Sequence, residues 1–236
     1  VGVSPANKLL TAQSGTTYDP NTGDLVLAVG QHGIGVGRNI VLEDGAVTFT
    51  CLQDNNQTTH AYPRSTDPAS GSSLTVTAVG ESQHTVTSAV YTGSTGVMVV
   101  TSAGHGFSNG DYVKFDDDSL TFTCDLDNNA TNHTYPRSTD RASNRWLQIS
   151  NKTNDTFEVN VGVNTDGGTH AFVSATSNGL KRQTGTLTVN VGTSSNTTAH
   201  TFVTATANAI SHSPSTTHTF VSASTGAVIH QPSAAH

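Results

Sequence analysis

The chain has 236 residues, enough for one large domain or two to three small ones, and only 11% are charged, against about 25% in ordinary globular domains. Ten basic and 17 acidic residues give a formal charge of −7, which argues against the basic stripe of a nucleic-acid surface. No apolar run approaches the ~18 residues of a membrane-spanning helix, runs of strong helix formers are missing, and 6% aromatics with one Met and one Trp suit several thin cores better than one thick core.

The polar residues are mainly Thr, Ser, Asn and Gly. Thr favours strands through its branched Cβ, and the others favour turns. Along the chain a strand is expected at 25–29. His32-Gly33 and Gly37 follow as a turn. A second strand is expected at 39–42, then an acidic turn, Glu43-Asp44-Gly45. The third strand carries Thr-Phe-Thr-Cys and ends at Cys51. Alternation puts Phe49 and Cys51 on one face, so a buried, unpaired thiol is expected. An Asp-Asn-Asn loop (Asp54, Asn55, Asn56) leads to a strand through His60, Tyr62, Pro63 and Arg64, and its Pro assigns it to a sheet edge.

The same order then returns. Residues 18–70 align with 91–143 at a constant offset of 73, without a gap, with 25 of 53 positions identical. Cys124, Asp127, His133, Tyr135, Arg137 and Asp140 repeat Cys51, Asp54, His60, Tyr62, Arg64 and Asp67. A gapless alignment of this length indicates a duplicated segment with strands and turns in register. The first copy departs at its first turn, with Ile34 for Phe107 and Arg38 for Asp111.

Beyond residue 163 the pattern shortens. Thr-His-Ala-Phe-Val-Ser-Ala at 169–175 resembles 199–205 and 217–223. Histidines 200, 218 and 236 are each 18 residues apart, and Val1-Gly2-Val3 resembles Val161-Gly162-Val163. Both ends thus fall inside repeat patterns, so the expectation is a window on a longer array. The expected organisation is β repeat 1 over 1–86, β repeat 2 over 87–162, and short β units over 163–236. Each short unit carries Phe on one face and Val on the other. Such strands are expected to bury Phe and Val only against other chains or neighbouring units.

Catalytic chemistry finds no footing: there is no Gly-x-Ser-x-Gly, phosphate loop or His-Glu-x-x-His. If the third and fourth strands form a hairpin, His60 and His133 are expected opposite Cys51 and Cys124. That offers two ligands per copy, short of the four of structural zinc. Asp116, Asp117 and Asp118 could serve calcium, but consecutive strand residues point to opposite faces, and a solvated turn is expected. No catalytic, cofactor or metal residue is therefore assigned. Arg64 with Asp67, and Arg137 with Asp140, are spaced to pin a turn. These pairs are read as architectural, and glycan contact is the alternative role for Tyr62, Arg64, Tyr135 and Arg137.

The His-Gly-Phe-x-x-Gly-Asp-x-Val element from His105 to Val113 resembles small β modules of tailed-phage tail and fibre proteins. The segment 120–140 and the His-Thr-Phe-Val-Ser-Ala units resemble repeats in virion structural proteins of phages of marine bacteria, cyanophages included. The short strands spaced by turn signals suggest an all-β chain of tandem small barrels or sandwiches, and the resemblance implies a virion component outside the cell. It carries over no catalytic residue and no cofactor. The expected partners are further copies of the chain in a trimeric or helical assembly, other virion proteins and a host surface glycan, with neither nucleic acid nor membrane insertion. A bacterial secreted adhesin or filament subunit is the first rival reading, and a glycan-binding module the second.

Overall fold

The computed structural model describes residues 7–164 and 167–213. The chain is all-β and its pairings are antiparallel. Its strands are β1 (Lys8–Leu10), β2 (Thr17–Tyr18), β3 (Asp24–Ala28), β4 (Asn39–Leu42), β5 (Val47–Cys51), β6 (Thr59–Tyr62), β7 (Leu74–His84), β8 (Ser88–Thr92), β9 (Val97–Thr101), β10 (Tyr112–Phe115), β11 (Leu120–Cys124), β12 (His133–Tyr135), β13 (Leu147–Ser150), β14 (Thr156–Asn160), β15 (His170–Ala175), β16 (Leu180–Asn190), β17 (His200–Ala205) and β18 (Ile210–His212).

Among the described residues twelve strands form one sheet, and β6-β5-β17 and β12-β11-β15 form two three-stranded sheets. Within the large sheet one set of neighbours runs β3, β16, β7, β4, β18, β1. A second set runs β9, β14, β13, β10, β16, β7. The two orders correspond strand for strand. The two 11-residue strands, β7 and β16, each serve both sets. The first half of β7 pairs with β4, whereas its second half pairs with Leu180–Gln183 of β16. One set of strands therefore draws on residues 80–183. The other draws on 7–79 and 184–213, on either side of it.

This arrangement corrects the expected role of the third segment. Strand β15 pairs with β11, and β17 pairs with β5, inside the same chain. Phe172 packs edge-on against Phe122 at 5.8 Å between centroids, and Phe202 against Phe49 at 6.1 Å. The Phe face is thus covered by the chain's own core. Val173 and Val203, on the other face, remain 47% and 48% exposed. The physical reason is strand demand: each 73-residue copy leaves one edge of its Thr-Phe-Thr-Cys strand unpaired, and an open edge is costly. The third short unit, 217–223, lies outside the described residues.

Burial follows the alternation. Val47, Phe49 and Cys51 point inward from β5, and Leu120, Phe122 and Cys124 from β11. Two apolar clusters result. Leu25, Leu27, Ile40, Phe49, Leu187 and Ile210 belong to one, and Met98, Val113, Phe122, Phe157 and Leu180 to the other. Both cysteines are buried and free. The two Tyr-Pro strands, β6 and β12, do lie at sheet edges, and Pro63 and Pro136 follow cis bonds.

The His-Gly turns are buried. In the first, His32 Nδ1 accepts the Ile34 N–H at 3.0 Å, and Nε2 lies 3.4 Å from the Thr186 carbonyl. In the second, His105 accepts from Phe107 N–H at 2.9 Å and faces the Thr156 carbonyl at 3.3 Å. In both, Nδ1 accepts a backbone N–H and Nε2 faces a carbonyl. Of the two departures in the first turn, Ile34 keeps the buried place and the hydrogen bond of Phe107, and the difference lies at Arg38. Asp111 is buried on Arg182 at 2.7 Å, whereas Arg38 is exposed.

Burial, with smaller contributions from Lys8 and His212, pushes the His32 pKa down from 6.5 to about 4. Between those values the unfolded state holds a proton that the folded state lacks, so acid favours unfolding. Stability from this group is complete above pH 6.5 and falls as the pH drops towards 4, by about 3 kcal/mol. Urea unfolding at stepped pH should show this slope. His32→Gln should lose it, whatever the substitution itself costs, and an unchanged slope in the variant would count against the assignment.

Candidate functional site

The recurring pairings create two corresponding clefts. The first, about 430 Å³, is lined by Tyr18, Phe49, Cys51, Asp54, His60, Tyr62, Arg64, Asp67, the stretch Val191 to Ser194, Asn196 and His200. The second, about 650 Å³, is lined by Tyr91, Phe122, Cys124, Asp127, His133, Tyr135, Arg137, Asp140, the stretch Val161 to Asn164, and His170. The residues match at the 73-residue offset on one side. On the other they match at a 30-residue offset, 161–170 against 191–200.

One wall is the inner face of a three-stranded sheet. Phe49 lies opposite His60 on β6 and Phe202 on β17, and Cys51 lies opposite His200. In the second sheet His133 is opposite Phe122, and Cys124 faces His170. The cysteines therefore meet His200 and His170, not His60 and His133 as the hairpin reading expected. The 3-10 turns Leu52–Asp54 and Asp125–Asp127 separate the hairpin strands and shift the register.

The opposite wall is the chain leaving β16 or β14. Gly192 and Gly162 adopt φ of +91° and +106°. A Cβ on Gly23 would stand 2.5 Å from the Gly192 carbonyl carbon, and one on Gly96 equally close to that of Gly162. Only glycine permits that approach. Tyrosines then clamp the wall: Tyr18 donates to the Gly192 carbonyl at 2.8 Å and Tyr91 to that of Gly162 at 2.7 Å. Tyr62 reaches the Val191 carbonyl at 3.4 Å and Tyr135 that of Val161 at 3.5 Å. Burial drives the Tyr62 pKa up to about 12 and raises that of Tyr135 as well. Both phenols stay protonated donors.

Charges in the clefts are locally balanced. Arg64 forks onto Asp67 with contacts of 3.1 and 3.0 Å, and Arg137 onto Asp140 with 3.2 and 3.1 Å. The guanidinium hydrogen bond holds the Asp67 carboxyl below its ordinary range. Both arginine side chains are well exposed, so each pair contributes at most about 1 kcal/mol while fixing the turn. Asp54 accepts from the backbone and hydroxyl of Thr58, and Asp127 from those of Thr131. The threonine hydroxyl bonds lead in lowering both carboxyl pKa values. His60 and His133 sit 3.8 and 3.4 Å from the same carboxylates.

No known protein family, curated protein or solved structure matches the chain.

Tyr62, Arg64, Tyr135 and Arg137 thus line the two clefts, the tyrosines as clamps and the arginines as turn pins. Spacing alone did not bring forward Tyr18, Tyr91, His170 and His200 as lining residues. His200 packs edge-on against Tyr18 at 5.3 Å and His170 against Tyr91 at 5.7 Å. Their Nδ1 atoms are buried without a hydrogen-bond partner among the described residues, as is one oxygen of Asp54. Cys51 sits 3.1 Å from the Thr198 hydroxyl and 2.8 Å from the Asn196 amide, and the Thr198 contact leads in lowering its thiol pKa. Among the described residues no three His, Cys, Asp or Glu side chains group as metal ligands. Asp116 instead pairs with Lys181 at 3.1 Å, and Asp117 and Asp118 accept from Ser143 and Thr134.

Proposed function

We propose that the chain is a structural component of a tailed-phage virion, a fibre, whisker or other surface appendage serving host contact or particle reinforcement. It works by bearing load and making contacts, without catalysis, as tandem sandwich-like modules joined end to end. The observation that supports this best is the joint. Two long strands, β7 and β16, run from one set of strands into the other and pair with each other along most of their length. A joint made of ladder hydrogen bonds resists bending in a way that a flexible linker cannot. Self-association into a trimer or a helical assembly, with other virion proteins as further partners, belongs to the same reading.

The test is location. Antibodies against the chain should decorate a surface appendage on purified particles from the culture that encodes it, and mass spectrometry should find its peptides in those particles. Recovery only from the medium or the bacterial surface would replace this reading with the secreted adhesin.

A further inference from the structure

We infer that the two clefts are a matched pair of binding sites for neutral hexose-type saccharides, one between Tyr18 and His60 and the other between Tyr91 and His133. This deepens the contact role proposed above and rests on it, but its test is separate.

Size, charge and unused polar atoms carry the argument. At about 430 and 650 Å³ both clefts fall within the range of roughly 300–1,000 Å³ typical of small-molecule sites. Their charged side chains nearly cancel. Asp54, Asp67 and Arg64 sum to −1 in the first cleft, and Asp127, Asp140, Arg137 and Arg141 sum to 0 in the second, counting His as neutral. A phosphate or a metal cation wants a concentrated opposite charge, whereas a neutral polyol does not. The lining also joins tyrosine rings and buried Phe to amide, hydroxyl and imidazole groups. That mixture suits a pyranose, which has an apolar C–H face and a hydroxyl rim able to donate and accept.

The decisive atoms are the orphans. Nδ1 of His200 and Nδ1 of His170 are buried at corresponding places, one in each cleft, and neither has a partner among the described residues. An unmet buried polar atom costs about 1–3 kcal/mol. It recurs in both clefts, and because the atom itself has no open surface, a ligand hydroxyl would meet it once the imidazole turns about its Cβ–Cγ bond. Duplication also fits a repeating ligand: two equal sites on one chain gain avidity for a polymer of identical units.

The test is an amide NMR titration of the full chain with maltose, cellobiose, lactose and chitobiose, with inorganic phosphate as the charged control. At least one saccharide should shift resonances around residues 54–60 and 191–196 together with those around 127–133 and 161–164, saturating at millimolar concentration. His200→Ala should weaken only the first set at least fivefold, and His170→Ala only the second. His200→Gln and His170→Gln serve if the alanine variants misfold. The inference is overturned if no saccharide saturates either set, if phosphate binds both clefts more tightly, or if the histidine variants leave both sets unchanged. A chain that binds no saccharide yet is found in particles refutes the clefts alone. A chain that binds saccharide but is missing from particles refutes the virion reading and leaves the clefts standing.

Discussion

A chain ending at residue 162 should fail to fold cooperatively, although it contains both complete 73-residue copies. Truncation there removes β15 to β18. Strand β3 loses its neighbour over Thr186 to Asn190, β10 loses Leu180 to Arg182, and β5 and β11 each lose one side. Leu180, Leu187, Val189 and Ile210 are essentially inaccessible to water, so their loss empties both cores. At about 1.5–3 kcal/mol per side chain, these four alone remove roughly 6–12 kcal/mol. A whole domain holds only about 5–15 kcal/mol. Circular dichroism should therefore show no sharp thermal transition, and amide resonances should collapse into the random-coil range. Residues 80–183 present the contrast: they hold one whole set of strands in an unbroken stretch and should fold alone. A sharp melt from the 1–162 chain would restore the division at residues 86 and 162.

Much of this was legible in local pattern. Thr-Phe-Thr-Cys announced two strands, their inward face and two free thiols, because alternation is a property of adjacent residues. The Pro after Tyr62 and Tyr135 announced edges because it lacks a ladder donor. The Asn pairs after Asp54 and Asp127 hold φ near +57°, as loop asparagines tolerate. Partner choice was not legible, because it depends on residues far away in the chain: Leu10 pairs with Ile210. Apolar residues on both faces of the short units suggested interchain packing, but only the Phe face is covered. A half-exposed Val on a strand is ordinary. The clefts were half legible: Tyr62 and Arg64 stood out through repetition, whereas the wall from Val191 to Asn196 arrives from 130 residues away. One local clue did point there. Thr156 to Arg182 aligns without a gap with Thr186 to His212, keeping Val-Asn-Val-Gly and His-x-Phe-Val-x-Ala.

Gln183→Leu should destabilise the protein by about 4 kcal/mol, more than any other single polar change suggested by these contacts. Gln183 is fully buried where β16 passes from one set of strands to the other. Its Oε1 accepts the Gly33 N–H at 2.8 Å and stands 3.4 Å from that of His32, and its Nε2 donates to the Ile34 carbonyl at 3.1 Å. Its own carbonyl accepts from Gln31 at 2.6 Å, and Gln31 in turn accepts the Tyr112 N–H at 3.0 Å. One side chain thus satisfies the backbone of the first His-Gly turn, and one carbonyl ties it through Gln31 to β10. Leucine keeps the volume but strands the Gly33 and Ile34 groups, each costing about 1–3 kcal/mol in a buried site. The neighbouring Thr184 is exposed, so Thr184→Ala should stay within about 0.5 kcal/mol. Repetition gives no warning of this role, since the residue at the corresponding place 30 earlier is Thr153, which sits exposed between strands. Chemical denaturation of Gln183→Leu should therefore move the midpoint steeply. A change as small as that of Thr184→Ala would mean that the joint is held by the β7–β16 ladder alone.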